Sequence, residues 1–67
     1  MDEEGAMPIV HIQMIEGRSV EQKRQLAEAI TRALVDIAKT APEAVNIVID
    51  DYPRTNWAKA GKLMSEQ

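Results

Sequence analysis

The residue with the most unusual chemistry on offer is Pro8, which follows Met7 in the opening stretch MDEEGAMPIVHIQMIEGR. Inside a chain, a proline nitrogen is an amide whose lone pair is delocalised into the neighbouring carbonyl. At the start of a chain the same atom is a secondary amine, both a base and a nucleophile. Everything else with reactive potential is sparse. His11 is the single histidine and there is no cysteine, so no ligand cluster for a structural or catalytic metal can be built from these residue types. His11 reads as a strand-face residue at a subunit contact. Asp50 and Asp51 are neighbours, and neighbouring side chains in an extended chain point to opposite faces, which argues against a shared acid–base role.

These residues need elements to hold them. In PIVHIQMI, Val10, Ile12 and Met14 alternate with Ile9, His11, Gln13 and Ile15, the period of a β-strand with a cleaner apolar even face. Pro8 suits a strand's first position, where no ladder donor is required. EGR breaks the strand. SVEQKRQLAEAITRALVDIAKT then places Ser19 three residues before Gln22, a capping-box spacing. Leu26, Ile30, Ala33, Leu34 and Ile37 form the predicted apolar stripe of a long helix, and Glu28 and Arg32 stand at i,i+4 for an ion pair. In KTAPEAV, Thr40 is the expected cap of a single helical turn with Pro42 near its start and Glu43 at the reciprocal position. VNIVID predicts a second strand with Val45, Ile47 and Ile49 on one face and Asn46, Val48 and Asp50 on the other. DYPRTN reads as turn, and WAKAGKLMSEQ as a loop with at most a short hairpin. Strand, helix and strand make a small α/β unit, βαβ, with parallel strands and a right-handed crossover.

A chain of 67 residues buries only about 60% of its unfolded surface. With neither disulfides nor metal to help, association with further copies is the expected remedy. The pattern points the same way, since Ile9, Ile15 and Val48 occupy a sheet face for which the sequence supplies no second helix. A formal charge of −3 with interleaved acids and bases argues against nucleic acid or an anionic membrane as partner; small anions would have to be held by local Arg or Lys. No apolar run has the length of a membrane span, and the acidic start is the opposite of a signal peptide's basic region, so the expected compartment is the cytosol. MDEEGA reads as a disordered leader or an expression-derived extension, which divides the chain into a leader, 1–7, and a domain, 8–67.

From Pro8 onward the sequence resembles the 4-oxalocrotonate tautomerases, or 2-hydroxymuconate tautomerases, of the tautomerase superfamily. The resemblance rests on Met-Pro-Ile at the strand start, MIEGR at its end, SVEQKRQL opening the helix and the tail W-x-x-x-G-K, and it covers everything but the leader. It implies a homohexamer, a trimer of dimers, without cofactor or metal, acting on a small dicarboxylate or enol acid such as 2-hydroxymuconate. After removal of the initiator Met, which a following small residue tolerates, Pro8 would be the general base. A terminal amine titrates near 7.7 to 8 when unperturbed, and an apolar pocket lowers that further. Arg18 matches the family's carboxylate-binding Arg, and Trp57 its pocket-wall aromatic, usually Phe or Tyr. Asn46 stands where the family carries an Arg, donated by a neighbouring subunit, that polarises the keto or enol oxygen. Arg54, in DYPRTN, is a candidate for the missing charge. The competing reading is a tautomerase-like oligomeric or ligand-binding protein without catalysis, its Pro8 blocked by the leader.

Overall fold

The computed structural model describes residues 7–67; the leader expected over MDEEGA lies outside them, and Met7 is an exposed residue ahead of the first strand. Strand β1, Ile9–Ile15, and strand β2, Asn46–Tyr52, pair in parallel from Ile9↔Asn46 to Ile15↔Tyr52. Helix α1, Val20–Ala38, connects them, so the predicted βαβ unit is present. Alternation sorts the side chains. Val10, Ile12 and Met14 share a face with Ile47, Ile49 and Asp51, and α1 lies on that face, its Lys23 paired with Asp51. Ile9, His11, Gln13 and Ile15 share the other with Asn46, Val48, Asp50 and Tyr52.

The helix starts where its capping box requires. Ser19 Oγ accepts from the Gln22 N–H at 3.1 Å, and Gln22 Oε1 accepts from the Ser19 N–H at 2.8 Å, which satisfies two of the donors a helix start leaves open. Ser19→Ala is expected to lower unfolding stability by about 1 kcal/mol, read as a shift in denaturant midpoint at fixed protein concentration. The inward stripe differs from its prediction. Leu26, Ile30 and Leu34 are half-buried together with Ala27, Thr31 and Val35, whereas Ala33 is exposed and Ile37 is 81% exposed. Two geometric facts bear on this: Ala27, Thr31 and Val35 line an open groove beside Pro42, and nineteen helical residues extend about 28 Å over strands that reach only about 23 Å. The last turn therefore overhangs the sheet. Among the described residues Glu28 and Arg32 form no ion pair; Glu21 pairs with Arg24 instead. Both unpaired side chains line an open groove beside Pro42, where solvation offsets most of what an exposed pair gains.

Lys39 ends the helix in the left-handed conformation, φ 60, its N–H bonding the Leu34 carbonyl. Thr40 is not the cap predicted for the next turn. That role falls to Ala41, without a side-chain bond, ahead of a 3-10 turn over Pro42–Ala44. Pro42 holds Ala41 extended and has no N–H to offer a cap at Thr40, and the turn's bonds, from the Ala44 and Val45 N–H groups to the Ala41 and Pro42 carbonyls, start at Ala41. Thr40 is instead the buried residue of this corner, 7% exposed.

Strand β2 continues through Asp51 and Tyr52, residues predicted to lie in a turn. A Glu16 N–H bond to the Tyr52 carbonyl, 2.8 Å, prolongs the ladder, and Lys23 and Gln13 hold the two side chains. After a 3-10 turn over Arg54–Asn56, a hairpin forms between β3, Ala58–Lys59, and β4, Lys62–Leu63. Its loop residues Ala60 and Gly61 have φ 55 and 81, the signs a tight two-residue hairpin loop needs.

Among the described residues no hydrophobic side chain is buried, while Ile9 is 70% and Val48 46% exposed on the outer sheet face. A single protomer therefore has no closed core. Sedimentation at micromolar concentration is expected to show a multiple of a dimer; a folded monomer would contradict the reading of that face as a contact between copies.

Candidate active site

Pro8 is half-buried at the head of β1. Its carbonyl accepts the Asn46 N–H at 3.1 Å, so the parallel pairing fixes the proline against the first residue of β2. Asn46 is exposed, and its Nδ2 donates to the Ala44 carbonyl at 3.3 Å. The structure thus brings together two of the residues singled out in the sequence, Pro8 and Asn46, at the N-terminal edge of the sheet.

The remaining candidates collect at the opposite edge. Arg18 follows β1 through a turn in which Gly17 takes φ +131, a value that side chains with a Cβ rarely adopt; the arginine is exposed and in no ion pair among the described residues. Trp57 is half-buried and packs edge-on against Tyr52, ring centroids 5.8 Å apart at 65°. Pro53 and the turn at Arg54–Asn56 lie between them. In the sequence DY reads as turn, so Tyr52 does not stand out as a neighbour of these candidates; its aromatic character five residues before Trp57 is the available signal. Since Ile15 faces Tyr52 at the end of the register, Arg18, Arg54 and Trp57 stand about 20 Å of strand away from Pro8. Within one protomer the two groups of candidate residues are therefore apart, at opposite ends of the paired strands.

The other reactive groups lie away from both clusters. His11 pairs with Asp50 midway along the outer face, while Asp51 pairs with Lys23 on the helix side. The two aspartates face apart, as alternation requires. Among the described residues no helix is long and apolar enough to cross a membrane.

Residues 8–67 match the family model described as tautomerase enzyme, a match that begins at Pro8. The chain belongs to the tautomerase family. Its sequence is 46% identical over 60 residues to the 2-hydroxymuconate tautomerase of Comamonas testosteroni, covering 90% of this chain and 95% of that protein. Among solved structures it is similar to the 4-oxalocrotonate tautomerase homologue YwhB, with a TM-score of 0.85 at 35% identity, covering 90% of this chain and 98% of the other. It is also similar to the heterohexameric 4-oxalocrotonate tautomerase of Chloroflexus aurantiacus, with a TM-score of 0.83 at 37% identity, covering 90% and 97%. The tautomerase fold predicted from the sequence is therefore the fold present. Membership of the tautomerase family supports an isomerase reaction, and that last neighbour is an oligomer.

Proposed function

We propose that the functional unit is a chain beginning at Pro8, a cofactor-independent keto–enol tautomerase of 2-hydroxymuconate-type enol acids, assembled as a homohexamer. The observation that carries this reading is the division of the candidate residues into a Pro8–Asn46 edge and an Arg18–Arg54–Trp57 edge, together with a family match that starts at the proline. In an assembly, the proline edge of one copy meets the arginine edge of another. Arg18 offers a planar fork for a substrate carboxylate. Trp57 supplies an apolar wall that favours a neutral amine. The Pro8 nitrogen takes the enol proton, the electron pair moves through the conjugated chain, and the same nitrogen returns the proton to the distant carbon. Asn46 or Arg54 donates to the oxygen on which charge develops. Pro8's ring and its backbone bond to Asn46 hold the base in place, which limits the entropy lost in reaching the reactive geometry.

The base must be unprotonated, so kcat/KM is expected to rise with pH through the amine's titration and to fall as pH drops below it. A pH–rate profile of the Pro8-initiated chain tests this. A rate flat across neutral pH would contradict an amine base. If the leader stays attached in the working protein, the competing reading of an oligomeric protein without this catalysis holds, and intact mass of the natively produced chain distinguishes the two.

A further inference from the structure

The arginine edge of the sheet is built from short pieces. Arg18 lies just beyond Gly17, whose φ is +131, and Trp57 lies between the 3-10 turn Arg54–Asn56 and the two-residue strand β3. A hairpin that small is marginal alone, so the paired strands must hold both segments if the two side chains are to keep a fixed spacing. Tyr52, the last residue of β2, reaches both. Its carbonyl accepts the Glu16 N–H at 2.8 Å, immediately before the loop that carries Arg18. Its ring meets the Trp57 ring edge-on, with centroids 5.8 Å apart. Its hydroxyl accepts from Gln13 Nε2 at 3.2 Å, which ties the ring to β1. Trp57 is bound in turn to the far end of the hairpin, its carbonyl accepting the Met64 N–H at 2.7 Å.

We infer that Tyr52 is a positioning residue for the reaction: its ring sets the Trp57 wall against the end of the sheet from which the Arg18 loop departs. This rests on the tautomerase reading above. The backbone bond to Glu16 survives any side-chain substitution, so the work that a variant can remove belongs to the ring. The hydroxyl bond to Gln13 only aims that ring, and the aromatic contact persists without it.

The test uses the Pro8-initiated chain with 2-hydroxymuconate and compares Tyr52→Leu with Tyr52→Phe. Tyr52→Leu is expected to lower kcat/KM about twofold to tenfold, the range that corresponds to a lost edge contact between aromatic rings. Tyr52→Phe keeps the ring and should recover most of that loss. Two readouts separate positioning from a loss of stability. Because Trp57 is the single tryptophan, fluorescence anisotropy reports its freedom, and it should fall in Tyr52→Leu and not in Tyr52→Phe. The base limb of the pH–rate profile should also move to higher pH in Tyr52→Leu, since withdrawing an apolar wall favours the protonated amine. Parent-like turnover in Tyr52→Leu, a loss with neither limb nor anisotropy changed, or an equal loss in Tyr52→Phe would each overturn the inference while leaving the tautomerase reading intact. If the parent does not turn over the enol acid, that reading fails and anisotropy alone decides: a fall confined to Tyr52→Leu supports the inference, and no difference between the variants overturns it. Tyr52→Ile, whose branched side chain suits a strand, replaces Tyr52→Leu if sedimentation shows that the latter does not assemble.

Discussion

A chain beginning at Pro8 is expected to ketonise its enol acid about 10² to 10⁴ times faster than the 67-residue chain with its leader intact. The reason lies in one nitrogen. With Met7 attached it is a tertiary amide with no available lone pair; freed, it is a secondary amine whose ordinary titration range is close to neutrality. The leader adds a steric effect, because anything bonded to that nitrogen must leave the strand head through the space a substrate would enter. Pairing of Pro8 with Asn46 uses the proline carbonyl rather than its nitrogen, so freeing the amine does not disturb the sheet. The measurement is turnover of the two forms side by side, with intact mass confirming each N-terminus. Equal activity from the intact leader-bearing chain would remove Pro8 from the role of base.

The second large effect concerns Arg18. Arg18→Ala is expected to lower kcat/KM about tenfold to a hundredfold, chiefly through KM, because the lost contact is a charge-assisted one to a carboxylate. Its more decisive use is in a mixture. Arg18→Ala chains beginning at Pro8 keep the proline half-site and lack the arginine half; leader-bearing chains keep Arg18 and have no free amine. With about 20 Å of strand between the two half-sites of one protomer, co-assembled hybrids should contain sites in which a free Pro8 from one copy faces an intact Arg18 from another. Activity after joint unfolding and reassembly should exceed the average of the two parents. A mixture that only averages them would mean that each protomer completes its own site, contrary to the register of the sheet.

Where prediction and structure part, the reason is range. Thr40 reads as a cap because cap preferences are local, but Pro42 offers no N–H there and the 3-10 turn starts one residue later, after Ala41. Asp51 and Tyr52 looked like a turn because Asp, Tyr and Pro often make one; contacts with Lys23, Gln13 and Glu16, remote in sequence, keep them in the strand. Ile37 keeps the helical period of the buried stripe and is exposed because the strands beneath it are shorter than the helix. The positive φ of Ala60 was equally invisible, since residue type alone favours only Gly61 there.

By itself the sequence determined the elements and the cast: alternation over Ile9–Ile15, a helix opened by the Ser19–Gln22 box, a second strand before Tyr52, and Pro8, Arg18, Asn46, Arg54 and Trp57 as the residues to watch. The elements follow from side-chain types within a few positions of one another, where periodicity and capping act, and the site residues from the resemblance to the tautomerases. Only the tertiary structure decided that Pro8 and Asn46 share one edge while Arg18, Arg54 and Trp57 share the other. That sorting depends on a parallel register between segments more than thirty residues apart, set by which faces of two strands fit beneath one helix, and no local pattern encodes it.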